Sequence, residues 1–350
     1  MALTKVINDL ADLNQSGSTN ALKGCAGTTA EQPATSSSID YLIVGGGGMA
    51  MGDGSGGGGA GGLLTGSTTV YHGTPTVITV GEGAPAKSTG YQCCGPYTGN
   101  GNDSGFNGIR ALGGGSAAWR FDTGAWLPYT QSNSGGSGAG GGQSQGGAGS
   151  DSSLPGDGTS GQGFDGGASD SGASNIYATG GGGGAGGVGS TGSSGQSGNG
   201  GIGTDVTSFI SVTNANLAQI GDTSNTTQVY FAGGGGGGGN AAATCGVGYS
   251  TLPGTGGLGG GGTGSNTNGG NGENGQTNTG GGGGGGAACG AGYGGAGGSG
   301  VTILKYDNTI VTGYTLNSED TYTVNWPADK YGVAYWPLNL NVKDVGGHYD

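Results

Sequence analysis

Short runs of β-branched and aromatic residues punctuate this chain, and several of them begin or end at a run of glycine. Residues 39–44 (IDYLIV) run directly into four glycines, and residues 301–306 (VTILKY) emerge from another glycine-rich stretch. Such runs are typical of β-strands. Further strands are predicted at residues 76–80, 207–212, 228–232, 309–316 and 321–325. The pattern therefore predicts a small β framework that glycine-rich excursions leave and re-enter.

The first residues follow a different period. Apolar side chains recur at helical spacing, on one face of a helix over residues 1–14: Leu3, Val6, Ile7, Leu10 and Leu13. A helix this short is marginal in water by itself, so it needs a partner surface. Residues 14–37 are small and polar and are typical of a linker.

The composition of the chain excludes several classes of protein. Its 99 glycines and 9 prolines make up 108 of 350 residues, and only 31% of the chain is hydrophobic. Such a chain cannot fill the core of an ordinary enzyme of this length. It has no apolar run long enough for a transmembrane helix, and no sustained Gly-X-Y period with proline, as collagen requires.

Glycine is nevertheless periodic over residues 180–203, where it occupies every third position from Gly180 to Gly201. Polyproline II helices have three residues per turn and no internal hydrogen bonds, so buried ones must bond to their neighbours. A glycine edge lets several such helices approach closely. We therefore expect an ordered lattice of backbone hydrogen bonds rather than a flexible linker, because the tracts alternate with strands.

Charge and cysteine content narrow the choice of partners. The net charge of −13 disfavours nucleic acid and anionic lipid, and we expect neither nucleic-acid binding nor membrane insertion. The start lacks the apolar core and cleavage site of a signal peptide, so we expect synthesis in a cytoplasm. Five cysteines, an odd number, argue against a complete disulfide framework. A Cys245–Cys289 bridge and buried free thiols both remain open, as does the oxidation of Cys93 and Cys94.

Catalytic motifs are weak. Matches to G-x-G-x-x-G recur by chance in a chain this rich in glycine, and residues 81–88 (GEGAPAKS) lack the second glycine of a phosphate-binding loop. Asp320 and Asp329 could form a carboxylate pair of a polysaccharide depolymerase, but no feature distinguishes them. Asp151, Asp157, Asp165 and Asp170 fit turns better than a calcium repeat. We expect no enzyme activity, no metal and no cofactor.

The order of strand and glycine motifs resembles a known family. The segments that carry the likeness are YLIVGGGG at 41–48, GFNGIRALGGG at 105–115, the triplet tract, VYFAGGGGGGG at 229–239 and VTILKY at 301–306. They resemble the glycine-rich domain of bacteriophage tail-fibre and other virion proteins, over about residues 38–306. The glycine-rich region of animal receptor kinases is also similar, but their signal peptide and Cys-rich surroundings are not found here.

The resemblance implies an all-β fold: a jelly-roll-like β-sandwich with an inserted polyglycine-II helix bundle. It divides the chain into an N-terminal helix and linker (1–37), the glycine-rich domain (38–306) and an aromatic-rich C-terminal β segment (307–350). It also implies a tail fibre or tail-associated adhesin, attached to other virion proteins through Leu3, Val6, Ile7, Leu10 and Leu13. A homotrimer or a cap on a trimeric fibre is expected. A head fibre or capsid decoration protein is the alternative.

Aromatic and arginine side chains concentrate in residues 91–130 and 307–350, and such side chains dominate binding hot spots. They are the predicted contacts with a host surface glycan or outer-membrane protein, although they could equally form the local core of small β units. The candidates are Tyr97, Trp119, Arg120, Trp126, Tyr129, Trp326, Tyr331, Tyr335 and Trp336.

Overall fold

In the part of the chain that the computed structural model describes, regular secondary structure is mostly strand, in three small antiparallel sheets, with almost no helix. The backbone is described for residues 36–52, 54–71, 74–86, 99–117, 132–142, 154–170, 178–193, 195–240, 250–288 and 292–306, with side chains except at 217 and 218. Four further strands beyond residue 312 are described by their backbone alone.

Five strands form the first sheet, in the order β12-β11-β8-β1-β2. They are β1 (Ser36–Val44), β2 (Leu63–Tyr71), β8 (Val301–Tyr306), β11 (Gly332–Pro337) and β12 (Lys343–Asp344). The chain ends of the glycine-rich region meet in this sheet, because β1 pairs with β8 in a register that sets Val44 opposite Val301. The long excursion between β2 and β8 therefore leaves and returns to one sheet.

The second sheet also has five strands, in the order β5-β4-β3-β10-β9, and the third has two. The second contains β3 (Thr76–Thr79), β4 (Ser104–Phe106), β5 (Ile109–Ala111), β9 (Gly313–Ser318) and β10 (Thr321–Asn325). The third pairs β6 (Thr204–Asp205) with β7 (Tyr230–Phe231), and the described helix α1 covers Val212–Ala218 between them.

Alternation along β1 explains how the sheets pack. Ile39 and Ile43 face a buried cluster that they share with Ile78 and Phe106 of the second sheet. Leu42 and Val44 face the opposite way, into a second cluster that includes Phe231. Since successive strand side chains point to opposite faces, the first sheet is covered on both sides.

The predicted strands are largely confirmed. Strand β8 spans the predicted residues, β1 begins three residues earlier, and β3 and β10 lie at the predicted sites. Strand β7 is shorter than predicted at both ends. Ala232 adopts a left-handed φ of 60°, and the N–H of Gln228 closes a turn onto the carbonyl of Asn225. Strand β9 begins at Gly313, and residues 309–312 lie outside the described part.

The strand predicted at residues 207–212 is wrong. Asp205 Oδ1 accepts hydrogen bonds from the N–H and the hydroxyl of Thr207, which turns the chain immediately after β6. Ser211 then caps α1, because its hydroxyl accepts the N–H of Asn214 at 3.3 Å. Ile210 is buried in the second cluster from within this turn. Local side-chain bonds to the backbone thus outweigh the β-branched composition.

Glycine-rich segments that are neither helix nor strand fill the space beside the sheets. Several are buried throughout, among them residues 45–48, 57–62, 180–184, 233–239 and 280–288. We call these five segments the interior tracts. Their backbone groups bond to other glycine-rich segments rather than within the tract.

Hydrogen bonding in the interior tracts repeats every three residues. Gly233, Gly236 and Gly239 donate to residues 259, 262 and 265, whereas Gly234 and Gly237 donate to 201 and 198. Gly235 and Gly238 donate to residues 58 and 55, at 2.9 and 3.0 Å. Three consecutive N–H groups therefore reach three different segments, and the fourth returns to the first.

Close approach explains why glycine is required here. A Cβ atom on Gly235 would collide with the carbonyl of Gly283, and one on Gly58 would collide with that of Gly48. Neither residue has the positive φ that would itself demand glycine. Steric exclusion by neighbouring backbone, rather than conformational freedom, therefore selects glycine in these tracts.

Candidate functional site

Most of the sequence-predicted site residues lie outside the described part of the chain. Tyr335 and Trp336 are the exceptions, since their backbones belong to β11 and pair with Ile303 and Thr302 of β8. The others are Tyr97, Trp119, Arg120, Trp126, Tyr129, Trp326, Tyr331, Leu3, Val6, Ile7, Leu10 and Leu13. Their roles in host binding and virion attachment stay predictions. Asp320 and Asp329, which no sequence feature distinguished as a catalytic pair, also lie outside the described part.

Four exposed apolar side chains that the sequence-based reasoning missed lie on glycine-rich segments that bond to one another. Phe164 is 46% exposed, Val188 61%, Ile202 42% and Leu258 37%. We call this set the apolar ridge. Isolated exposed apolar residues are ordinary, whereas a group of them on adjoining segments indicates a contact surface.

Backbone hydrogen bonds hold the four segments of the apolar ridge side by side. The N–H of Phe164 donates to the carbonyl of Gly184 at 3.1 Å, and Gly186 donates to Ile202 at 2.9 Å. Gly203 donates to the carbonyl of Leu258 at 2.7 Å. The ridge therefore rests on a bonded backbone scaffold, so little order has to be gained when a ligand binds.

Backbone donors accompany the apolar ridge. Exposed positions recur every third residue at Gln196, Asn199 and Ile202. Within the described residues, the N–H groups of Asn199 and Ile202 have no protein acceptor, although both carbonyls accept hydrogen bonds. At about 3.1 Å of rise per residue, these two donors would lie about 9 Å apart. The surface thus combines apolar side chains with free N–H groups.

On outer segments of the glycine-rich region, asparagine side chains accept backbone hydrogen bonds from a neighbouring segment. Asn274 Oδ1 accepts the N–H of Ala296 at 2.8 Å, while Gly275 donates to the carbonyl of the same residue at 2.8 Å. Asn271 and Gly272 form the same two hydrogen bonds with the backbone N–H and carbonyl of Tyr293. Asn199 and Gly200 form them with those of Thr255. We call each arrangement an Asn-Gly clamp.

Asp222 anchors the segment that precedes β7. Its carboxylate accepts the N–H groups of Ser224 and Gly259 at 2.9 and 2.8 Å, and that of Gly260 at 3.3 Å. Gly259 and Gly260 have φ values of 102° and 88°, which orient successive N–H groups toward the carboxylate. Burial by itself raises the pKa of Asp222, but these hydrogen bonds outweigh it and lower the pKa.

Three other charged side chains in the described part also have partners. Arg110 forms an ion pair with Asp103, and the Oδ1 atom of Asp165 accepts the N–H of Gly158 at 2.7 Å. The described residues contain no group of three metal-ligating side chains. Residues 81–84 are built into the lattice, since Asn102 donates to the carbonyl of Glu82 and Ala84 donates to that of Gly47.

Comparison with known proteins identifies one sequence family. The sequence profile of the family described as "Glycine-rich domain" matches residues 23–307, and the chain belongs to that family. No curated protein and no solved structure matches the chain. No helix in the described ranges has the length and apolar character that a membrane span requires.

Proposed function

We propose that this chain is a structural protein of a bacteriophage particle, a tail fibre or tail-associated adhesin that binds the host cell surface. The observation that carries the proposal is the apolar ridge on a backbone lattice that is hydrogen-bonded in three directions. A rigid support lowers the entropic cost of binding. The order of motifs along the chain, which resembles that of phage fibre proteins, is the second support.

In this proposal the glycine-rich segments are polyglycine-II helices bundled on a jelly-roll-like β-sandwich. The three-residue repeat of hydrogen-bond partners supports the first part, because such a helix has three residues per turn. The cluster that Ile43 and Phe106 share across two sheets supports the second. Residues 1–37 would attach this domain to other virion proteins, in a homotrimer or as a cap on a trimeric fibre.

The chemistry of the apolar ridge favours an uncharged host glycan over an outer-membrane protein. A sugar ring offers an apolar face together with hydroxyl groups, which suits the ring of Phe164 and the free N–H groups of Asn199 and Ile202. The net charge of −13 would repel acidic polysaccharides. A non-enzymatic glycan-binding role is therefore proposed.

Competition for adsorption tests this function. Purified full-length protein is added to host cells before phage, and free phage is counted over time. We expect saturating protein to slow adsorption, and to slow it less on cells stripped of surface glycan. Unchanged adsorption would contradict the adhesin role, and competition that depends on an outer-membrane protein alone would contradict the glycan. Release of reducing ends from host polysaccharide would contradict the non-enzymatic role.

Labelling of particles separates tail from head. Antibody against this chain should decorate the tail in electron micrographs. Many labelled copies on the capsid surface would instead favour the head fibre or decoration protein.

A further inference from the structure

Six Asn-Gly dipeptides occur in the chain, and all of them lie in described segments: Asn100, Asn107, Asn199, Asn268, Asn271 and Asn274, each followed by glycine. Asn-Gly is the dipeptide most prone to spontaneous deamidation, since glycine leaves the following N–H unshielded. The environment of each asparagine therefore decides whether the reaction proceeds in the folded protein.

Three of the six are held by Asn-Gly clamps, which restrain both reacting groups. In the clamp at Asn271, the side-chain Oδ1 accepts the N–H of Tyr293 at 2.9 Å and the N–H of Gly272 donates to Tyr293 at 2.8 Å. The nucleophile and the carbonyl that it would attack are both bound to a neighbouring segment. Asn199 and Asn274 are restrained in the same way.

Asn100 and Asn107 are held by other bonds. Asn100 Oδ1 accepts the N–H of Ser116 at 3.0 Å, and Gly101 donates to Gly114. The side-chain amide of Asn107 donates to Thr68 and to the carbonyl of Thr69, both at 3.0 Å. These hydrogen bonds restrict the rotation of each carboxamide.

Asn268 differs from the other five. It is exposed, and within the described residues neither its carboxamide nor the N–H of Gly269 forms a hydrogen bond. A turn closed by the bond from Gly270 to the carbonyl of Thr267, at 2.7 Å, carries both residues outside the lattice. Gly269 has a φ of 67°, and nothing lies within 4 Å of the position of a Cβ atom.

We propose that Asn268 is a site of spontaneous deamidation in the folded protein, while the clamped asparagines are protected. The Gly269 nitrogen bonds to Cγ of Asn268, the bond from Cγ to the side-chain nitrogen breaks, and ammonia leaves with the proton of Gly269. Water then opens the resulting succinimide to an aspartyl or isoaspartyl residue. Either product adds a negative charge at this turn, and the isoaspartyl form also lengthens the main chain by one methylene.

Peptide mapping of the aged full-length protein tests this inference. The folded chain is incubated at neutral pH and physiological temperature, then digested after glutamate so that cleavage at Glu273 separates Asn268 and Asn271 from Asn274. Fragment spectra distinguish Asn268 from Asn271, its matched neighbour three residues away. We expect deamidation at Asn268 to be roughly tenfold or more faster, because opening a clamp breaks two hydrogen bonds.

Two controls keep the outcome interpretable. In denaturant all six sites should react at comparable rates, which would show that folding causes the difference. An Asn268→Gln variant should lose the fast phase and keep the slow ones. Equal rates at Asn268 and Asn271 in the folded protein would overturn the proposal, and so would faster reaction at any clamped site.

Discussion

A side-chain hydrogen bond joins Asn274 to Ala296 at the edge of the backbone lattice, where the acceptor is a carboxamide rather than a backbone carbonyl. The Oδ1 atom of Asn274 accepts the N–H of Ala296 at 2.8 Å, and the N–H of Gly275 donates to the carbonyl of Ala296. The same relationship joins Asn271 to Tyr293, three residues earlier on one segment and three on the other. Asparagine at the edge therefore continues the three-residue repeat that glycine maintains inside.

Removing this bond should measurably destabilise the fold. We expect Asn274→Ala to lower the free energy of unfolding by about 1 kcal/mol, because the N–H of Ala296 loses its protein acceptor. Chemical denaturation followed by circular dichroism measures the change. Asn268→Ala is the matched control, since that side chain makes no hydrogen bond among the described residues. Equal effects of the two substitutions would contradict the structural role of the clamp.

Added volume in an interior tract should cost more. In Gly235→Ala the new Cβ meets the carbonyl of Gly283, backbone that cannot move without breaking further hydrogen bonds. We expect a loss of about 1–3 kcal/mol or more, as in overpacked cores. In the control Gly187→Ala, the nearest atom is the side-chain Cγ2 of Ile202 at 3.2 Å, which can shift. A melting temperature that is equally changed in both variants would rule out steric selection of glycine.

Acid should weaken the anchor at Asp222. The folded-state pKa of this carboxyl lies below its ordinary value of 3.8, so its hydrogen bonds contribute fully at higher pH. The contribution falls as pH drops below 3.8 through the folded-state pKa, because protonation removes the charge that the N–H groups stabilise. We expect Asp222→Asn to be less stable at neutral pH and to lose less stability on acidification.

The control for this pH dependence is Asp205. The side-chain and backbone hydrogen bonds from Thr207 also lower its pKa, but it lies at the surface. We therefore expect Asp205→Asn to change the acid limb of the stability profile less than Asp222→Asn. Identical acid limbs in the wild type and Asp222→Asn would show that this carboxylate is not the anchor.

Truncation of the apolar ridge should affect binding but not folding. We expect Phe164→Ala to weaken binding to host cells by roughly 30-fold, since a central aromatic contact is worth about 2 kcal/mol. Leu252→Ala is the matched control, because Leu252 is 57% exposed on the same outer segment as Leu258 but outside the ridge. Flow cytometry of labelled protein on cells measures both, with melting temperature as the folding check. Loss of binding in both variants, or in neither, would count against the ridge.

The sequence predicted the strands that frame the glycine-rich region well, because residues 39–44 and 301–306 have strong β composition. It failed at residues 207–212, where the caps supplied by Asp205 and Ser211 outweigh propensity. The triplet spacing predicted the period of three, but spacing alone does not indicate which segments pair. The clamps at Asn271 and Asn274 have a sequence signal, because Asn-Gly recurs every three residues from Asn268 to Asn274. The spacing alone does not show that Asn271 and Asn274 are clamped while Asn268 is not.

The apolar ridge could not be predicted, since Phe164, Val188, Ile202 and Leu258 are far apart in sequence and single among small residues. Only the pairing of four segments brings them onto adjoining positions. The aromatic-rich segments, by contrast, have a locally unusual composition that the sequence alone shows. Local composition therefore does not reveal a site whose residues are brought together by backbone hydrogen bonds between distant segments.

Amide hydrogen exchange of the interior tracts tests the central claim most directly. NMR of protein labelled at glycine and at the strand residues would follow the N–H groups of residues 233–239 beside those of β1. Since all seven donate to another segment, we predict protection comparable to that of the strand, and rapid exchange at Gly269. Exchange of residues 233–239 at the rate of an unfolded chain would contradict a structure held together by glycine.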